Sequence, residues 1–251
     1  MMLRALLFAW LLAPLGVGAY PLDGEPRTDI QRLEGYRLAQ EGVIGGRKLH
    51  PGARLSLDQI TLHLEDLPHR ELPAPDAGFT ESVVELLDGR EDRYGIAVLD
   101  LSDPDNPVYA AHRAQVPFNP GSVGKLAIAL GLFEALARLH PDDIGARERV
   151  LKTRTITADA FIKWDSHKAP FFDPDTRRLT HRRIRMGDTA NLWTWLDWML
   201  SASSNAAASM VLREVVVMRH FGGEYPVSEE RAARFLEATP KSELSRIMRE
   251  A

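Results

Sequence analysis

Two short stretches of this 251-residue sequence carry residue types that could do chemistry together. The first is "NPGSVGKLAIAL", residues 119–130, where Ser122 and Lys125 stand at the mouth of a nearly unbroken apolar run. A phosphate-binding loop is excluded. The Walker pattern needs Gly at 119 and Ser or Thr at 126, and the chain has Asn119 and Leu126. Two readings remain: a helix start with a surface Ser and a snorkelling Lys, and a nucleophilic serine with its base one turn away. Asn119 suits an N-cap and Pro120 the first helical position, which predicts a helix over 120–139. On that helix Ser122 and Lys125 share a face, with Cβ atoms about 5–6 Å apart. The remainder, "LAIALGLFEALARL", is apolar nearly all round, the pattern of a helix buried in a domain centre. Burial and the positive end of the helix both work against an ammonium at Lys125. A neutral amine beside a hydroxyl can take its proton. The Ser122 backbone N–H, among the unpaired donors of the first turn, can face a developing oxyanion.

The second stretch is "WLDWMLSASSNAAASMVL", residues 195–212. An amphipathic helix over 190–200 ends near Leu200, and an Ala-rich helix over 206–221 starts after Asn205. Ser203, Ser204 and Asn205 fall on the short connection. Alone, this is a polar turn with Asn205 as an N-cap. Beside the first stretch it is less ordinary: Ser-x-x-Lys opens a buried helix after a hairpin, and Ser-x-Asn follows between two helices of a chain with a leader.

Other elements must position these residues. A short helix capped by Thr80 is predicted through Asp88, with Gly89 as its stop. "YGIAVLDL" (94–101) and "VYAAH" (108–112) read as strands joined by the turn-rich "SDPDNP", an antiparallel hairpin. Helical patterns follow at 141–151 and 228–237, and the chain ends in a helix-like stretch. Residues 163–188 form a long polar and aromatic excursion between helices. Within it "RRLTHRRIR" (177–185) alternates like a solvated strand or hairpin. A hairpin first and helices afterwards predict an α+β domain. Upstream, 29–40 suits a helix, and the proline-dense 67–78 suits a linker. The expected organisation is therefore a leader over 1–19, an extension and linker over 20–76, and a domain over 77–251.

The leader is read from "MMLRALLFAWLLAPLGVGAYP". A basic start at Arg4 precedes an apolar stretch to Leu15, and small residues at Val17 and Ala19 suit a signal peptidase cutting after Ala19. A membrane anchor is the alternative, but the run is short and carries Pro14. No later segment reaches spanning length, so no stable membrane span is expected after cleavage, and a periplasmic or secreted location follows. With no cysteine, the exported chain has no disulfide, thiolate metal site or Cys nucleophile. The eight His include no HExxH-type pair, so no metal or other cofactor is expected; His140 and His220 fall at helix ends. The composition is 45% hydrophobic and 26% charged with a net charge of −4, which gives no reason to expect nucleic acid as a partner.

From about residue 80, the sequence resembles the penicillin-recognising serine hydrolases, especially class A β-lactamases. The resemblance is carried by "FNPGSVGKLAIALGLFEAL" and "MLSASSNAAASMVL". It implies a β-lactamase/DD-peptidase-like fold, an antiparallel sheet packed with helices plus an all-helical subdomain. It also implies that Ser122 is acylated by a lactam or D-alanyl peptide carbonyl, with Lys125 as its base or part of the base relay. Ser203 would pass a proton to the leaving nitrogen, and Asn205 would bind the acyl amide. The implied partners are β-lactams or peptidoglycan peptides. Three departures accompany it. The family's late Lys-Thr-Gly strand has no counterpart: Lys152-Thr153 is followed by Arg154, and Lys241-Ser242 by Glu243. The expectation is a sequence truncated before that motif and its C-terminal strands, or a degenerate one. Ser204 stands where class A enzymes carry Asp, and no Glu can be assigned as deacylating base, so an acyl-enzyme would persist. The alternative to a hydrolase is a non-catalytic relative that binds peptidoglycan or a cell-envelope partner.

Overall fold

The computed structural model describes residues 22–46, 48–50, 71–162 and 165–249. The expected leader over 1–19 lies outside them. In chain order the elements are α1 (Glu25–Thr28), α2 (Gln31–Glu41), α3 (Ala77–Glu85), β1 (Ile96–Asp100), β2 (Val108–His112), α4 (Lys125–Leu139), α5 (Ile144–Thr153), β3 (Thr155–Thr157), β4 (Ala169–Asp173), β5 (Arg178–Arg182), β6 (Thr189–Asn191), α6 (Leu192–Ser201), α7 (Asn205–Phe221), α8 (Glu229–Ala238) and α9 (Lys241–Arg249). The chain is mixed α/β, with antiparallel strands as expected. Among the described residues these strands form three separate pairs, β1–β2, β3–β6 and β4–β5, where one sheet packed with helices was expected.

Two compact units divide the chain. One is Ile60–Ser122, and the other combines Met1–Gln59 with Val123–Ala251. Residues 22–46 pack within the second unit. There Arg32 forks onto both carboxylate oxygens of Asp197 on α6, and Gly35 of α2 lets Phe172 of β4 approach closely.

In the smaller unit β1 and β2 pair from Ile96↔His112 to Asp100↔Val108. Their turn is held by Asp100, whose Oδ1 accepts from the Ser102 N–H, and by Asp103, whose Oδ1 accepts from the Asp105 N–H. Asp76, not Thr80, caps α3, accepting from the Phe79 N–H at 2.7 Å. Thr80 lies inside that helix, and its Oγ1 accepts from the Ala111 N–H of β2.

The larger unit is built on α6 and α7. Trp195, Met199, Met210, Val211, Val217 and Met218 are fully or almost fully buried between them and their neighbours. Both core indoles satisfy their N–H groups: Trp195 donates to the Ile156 carbonyl and Trp198 to that of Pro170. One face of α4 packs on this core through Ala129, Leu132, Ala135 and Leu136. Its opposite face leaves Leu126, Leu130 and Phe133 exposed. The apolar run predicted burial all round; here the helix is buried on one side only.

The middle of α7 is pinned by charge. Glu214, wholly buried, accepts from Arg154 Nε at 2.6 Å, from Arg213 Nη1 at 3.3 Å and from the Tyr225 hydroxyl at 2.8 Å. Arg213 also reaches Asp159 and Glu229. Every charge in the cluster is paired, which such burial requires.

Candidate active site

The helix predicted from Pro120 starts at Lys125. Asn119 does not cap it; its Oδ1 accepts from the Gly121 N–H at 2.9 Å. Gly121, at φ +53°, bends the chain into a 3-10 turn over Gly121–Gly124 that runs straight into α4. Ser122 sits on that turn, exposed, and closes the smaller unit. Lys125 opens α4 in the larger unit and is only 7% exposed.

An amine buried at the positive end of a helix needs acceptors. Lys125 finds them on Ser203, donating from Nζ to its carbonyl oxygen at 2.7 Å and to its Oγ at 3.1 Å. Ser203 lies in the connection between α6 and α7 and is half-buried. Its φ of +55° is left-handed. For a residue with a Cβ that conformation costs on the order of 1–3 kcal/mol and persists only when the surroundings enforce it. Here it turns both oxygens of one residue onto one amine.

The enforcing groups flank Ser203. The Ser204 N–H donates to the Trp198 carbonyl at 3.1 Å, closing α6. The Ser204 side chain caps α7, accepting from the Ala207 N–H at 3.1 Å. The N-cap is therefore Ser204 and not Asn205. Asn205 becomes the first residue of α7, exposed at its mouth. The Ser204 hydroxyl in turn donates to Asp165 Oδ2 at 2.7 Å, and the Ala206 N–H reaches the same oxygen at 3.1 Å. Asp165 Oδ1 accepts from the backbone N–H of His167 at 3.0 Å and meets its ring Nδ1 at 2.6 Å. Burial pushes the Asp165 carboxyl up. The hydrogen bonds from His167, Ser204 and Ala206 outweigh it and hold the group well below the usual carboxylate range.

The structure thus brings Lys125 and Ser203 together and sets Asn205 two residues on, at the start of α7. Ser122 keeps its place three residues before Lys125, on the turn that feeds α4. Sequence reasoning missed Asp165 and His167, which fell inside the excursion 163–188. The available signal was Asp-x-His beside Ser, since an Asp accepting from the N–H two residues on forms a compact turn that can present its second oxygen elsewhere. Among the described residues no group of three or more His, Asp or Glu is placed to hold a metal ion. No family model, no curated protein and no solved structure matches the chain.

Proposed function

We propose that the chain is an exported serine hydrolase of the penicillin-recognising type, with a β-lactamase/DD-peptidase-like arrangement, acting on β-lactam or D-alanyl peptide amides. The observation that carries the reading is the buried Lys125 amine held by both oxygens of Ser203. A lysine kept dry at a helix mouth, with a serine three residues before it on a turn, suits proton transfer better than salt bridging. In this reading Ser122 Oγ attacks the carbonyl carbon and its proton passes to Lys125. The C–N bond then breaks, and the Ser203 hydroxyl delivers a proton to the leaving nitrogen while Lys125 restores it. An ester on Ser122 remains, and water hydrolyses it to regenerate the enzyme. Asn205, exposed at the mouth of α7, binds the acyl amide. No Glu is assigned to the last step, so deacylation is slow.

The second reading, a non-catalytic relative that binds peptidoglycan or an envelope partner, is favoured by where the two Lys-Thr/Ser pairs fall among the described residues. Lys152-Thr153 ends α5, and Lys241-Ser242 opens α9, so neither pair lies on a strand. A fluorescent penicillin separates the two. The hydrolase reading expects covalent labelling of the full chain that disappears in Ser122→Ala. A folded wild-type protein that takes no label supports the binder.

A further inference from the structure

We propose that Asp165 is a positioning residue for this site: its carboxylate fixes the left-handed turn at Ser203 that holds Lys125. The inference rests on the acyl-serine reading for its catalytic part and on geometry alone for the rest.

Ser203 gives the buried amine two acceptors, so its orientation bears on where the amine points. Ser203 holds a φ of +55° with both of its oxygens on the Lys125 amine. The residues after it are held by the Trp198 carbonyl and by one carboxylate oxygen. Asp165 Oδ2 takes the Ser204 hydroxyl and the Ala206 N–H together. It reaches across from a segment 39 residues away in sequence. The Asp165 side chain is itself 3% exposed, and its second oxygen is occupied by the backbone and ring of His167. A buried charge with all its bonds assigned has one low-energy orientation. It also lies at the N-terminus of a 17-residue helix, where negative charge is favourable. Asp165 therefore clamps the first turn of α7, and the residue just before that turn, Ser203, inherits the strain. The order of action is Asp165 to Ser204 and Ala206, then to Ser203, then to Lys125.

The test uses the full chain with Asp165→Asn, Ser204→Ala and the double variant. Asn keeps the shape but cannot accept from the Ser204 hydroxyl and the two backbone N–H groups as a charge. Two readouts are taken: acylation by a fluorescent penicillin over a concentration series, and site-resolved amide hydrogen exchange. The saturating acylation rate is expected to fall on the order of tenfold to a hundredfold, as for a catalytic group displaced by about 1 Å. The half-saturating concentration should change less than the rate: Asn205 lies on the loosened turn, but its own side chain makes none of the bonds removed. Exchange at Ala206 and Ser204 is expected to rise about tenfold while the interior of α4 is unchanged. The double variant should lose little more than the worse single variant, since the two residues act in series. If Asp165→Asn does not fold, Ser204→Ala carries the same comparison. Local exchange that rises with an unchanged acylation rate overturns the positioning role, and so does unchanged exchange at Ala206. A wild-type chain that is never acylated defeats the acyl-serine reading instead. In that case exchange at Ser204 and Ala206 still decides whether Asp165 fixes the turn.

Discussion

Replacing Lys125 by Met separates the chemistry of the amine from the packing of its stem. Met has nearly the same length and no charge, and swaps that conserve volume cost under about 1.5 kcal/mol. The Ser203 carbonyl, 2.7 Å from the amine, loses a donor. An acceptor stranded in partly buried surroundings costs about 1–3 kcal/mol. Against this, a polar head is removed from the buried first residue of α4. The desolvation of a 7%-exposed amine is relieved as well. The net loss of stability is therefore about 1–2 kcal/mol, against the 5–15 kcal/mol typical of a folded domain, and the variant stays folded. Catalysis responds differently. Loss of a general base costs about 100- to 10,000-fold, or roughly 3–5 kcal/mol of transition-state stabilisation. Urea unfolding followed by tryptophan fluorescence measures the first quantity, and the rate of labelling by a fluorescent penicillin at neutral pH measures the second. Labelling of folded Lys125→Met within about threefold of wild type refutes the reasoning, because another group must then take the proton from Ser122.

Three further outcomes follow from the packing. Glu214→Ala leaves Arg154 and Arg213 buried with fewer counter-charges, so the urea midpoint should fall by an amount equivalent to about 3–5 kcal/mol. Gly35→Ala should destabilise by about 1–3 kcal/mol despite the better helix propensity of Ala, because the new Cβ would meet Phe172 Cδ2 at 2.6 Å; thermal melts give the sign. Acid should weaken the fold. The carboxyls of Asp165 and Asp188 are pushed up by burial, but hydrogen bonds bring both below the ordinary carboxylate range. Their contribution is complete above the unfolded carboxylate pKa and is lost as pH falls through the folded values. The urea midpoint should therefore drop between neutral pH and about pH 3, and less so in Asp165→Asn.

Where apolar spacing and turn residues agree, the sequence announces its elements. The helices expected over 190–200 and 206–221 are found at Leu192–Ser201 and Asn205–Phe221. The hairpin around "SDPDNP" forms β1 and β2 with the expected turn residues. Capping was less legible, because it depends on which of several polar neighbours takes β-region backbone. Asp76 outcompetes Thr80, Ser204 displaces Asn205, and Gly121 intervenes between Asn119 and α4. His140 sits at the C-cap of α4 and His220 in the last turn of α7, as expected, but the stacking of His220 on Phe235 at 3.7 Å is a contact between helices that no local pattern encodes. The short strands β3, β4 and β6 were hidden for the same reason. Each is defined by a partner, such as Trp198 donating to Pro170, and three to five residues carry too little periodicity to declare themselves. At the site, spacing linked Ser122 to Lys125, and only the family resemblance set Ser203 beside them; the contact of Lys125 with Ser203 spans 78 residues. Asp165 could not be found that way, since its role comes from a hydrogen bond to Ser204 across 39 residues.

The central claim is that Ser122 becomes covalently acylated with Lys125 as its partner. Intact-protein mass spectrometry after incubation with benzylpenicillin, followed by peptide mapping, tests it most directly. The account predicts one added penicilloyl mass, located on the peptide that contains Ser122 and persisting because deacylation is slow. A folded chain that gains no mass, or gains it on another residue, contradicts it.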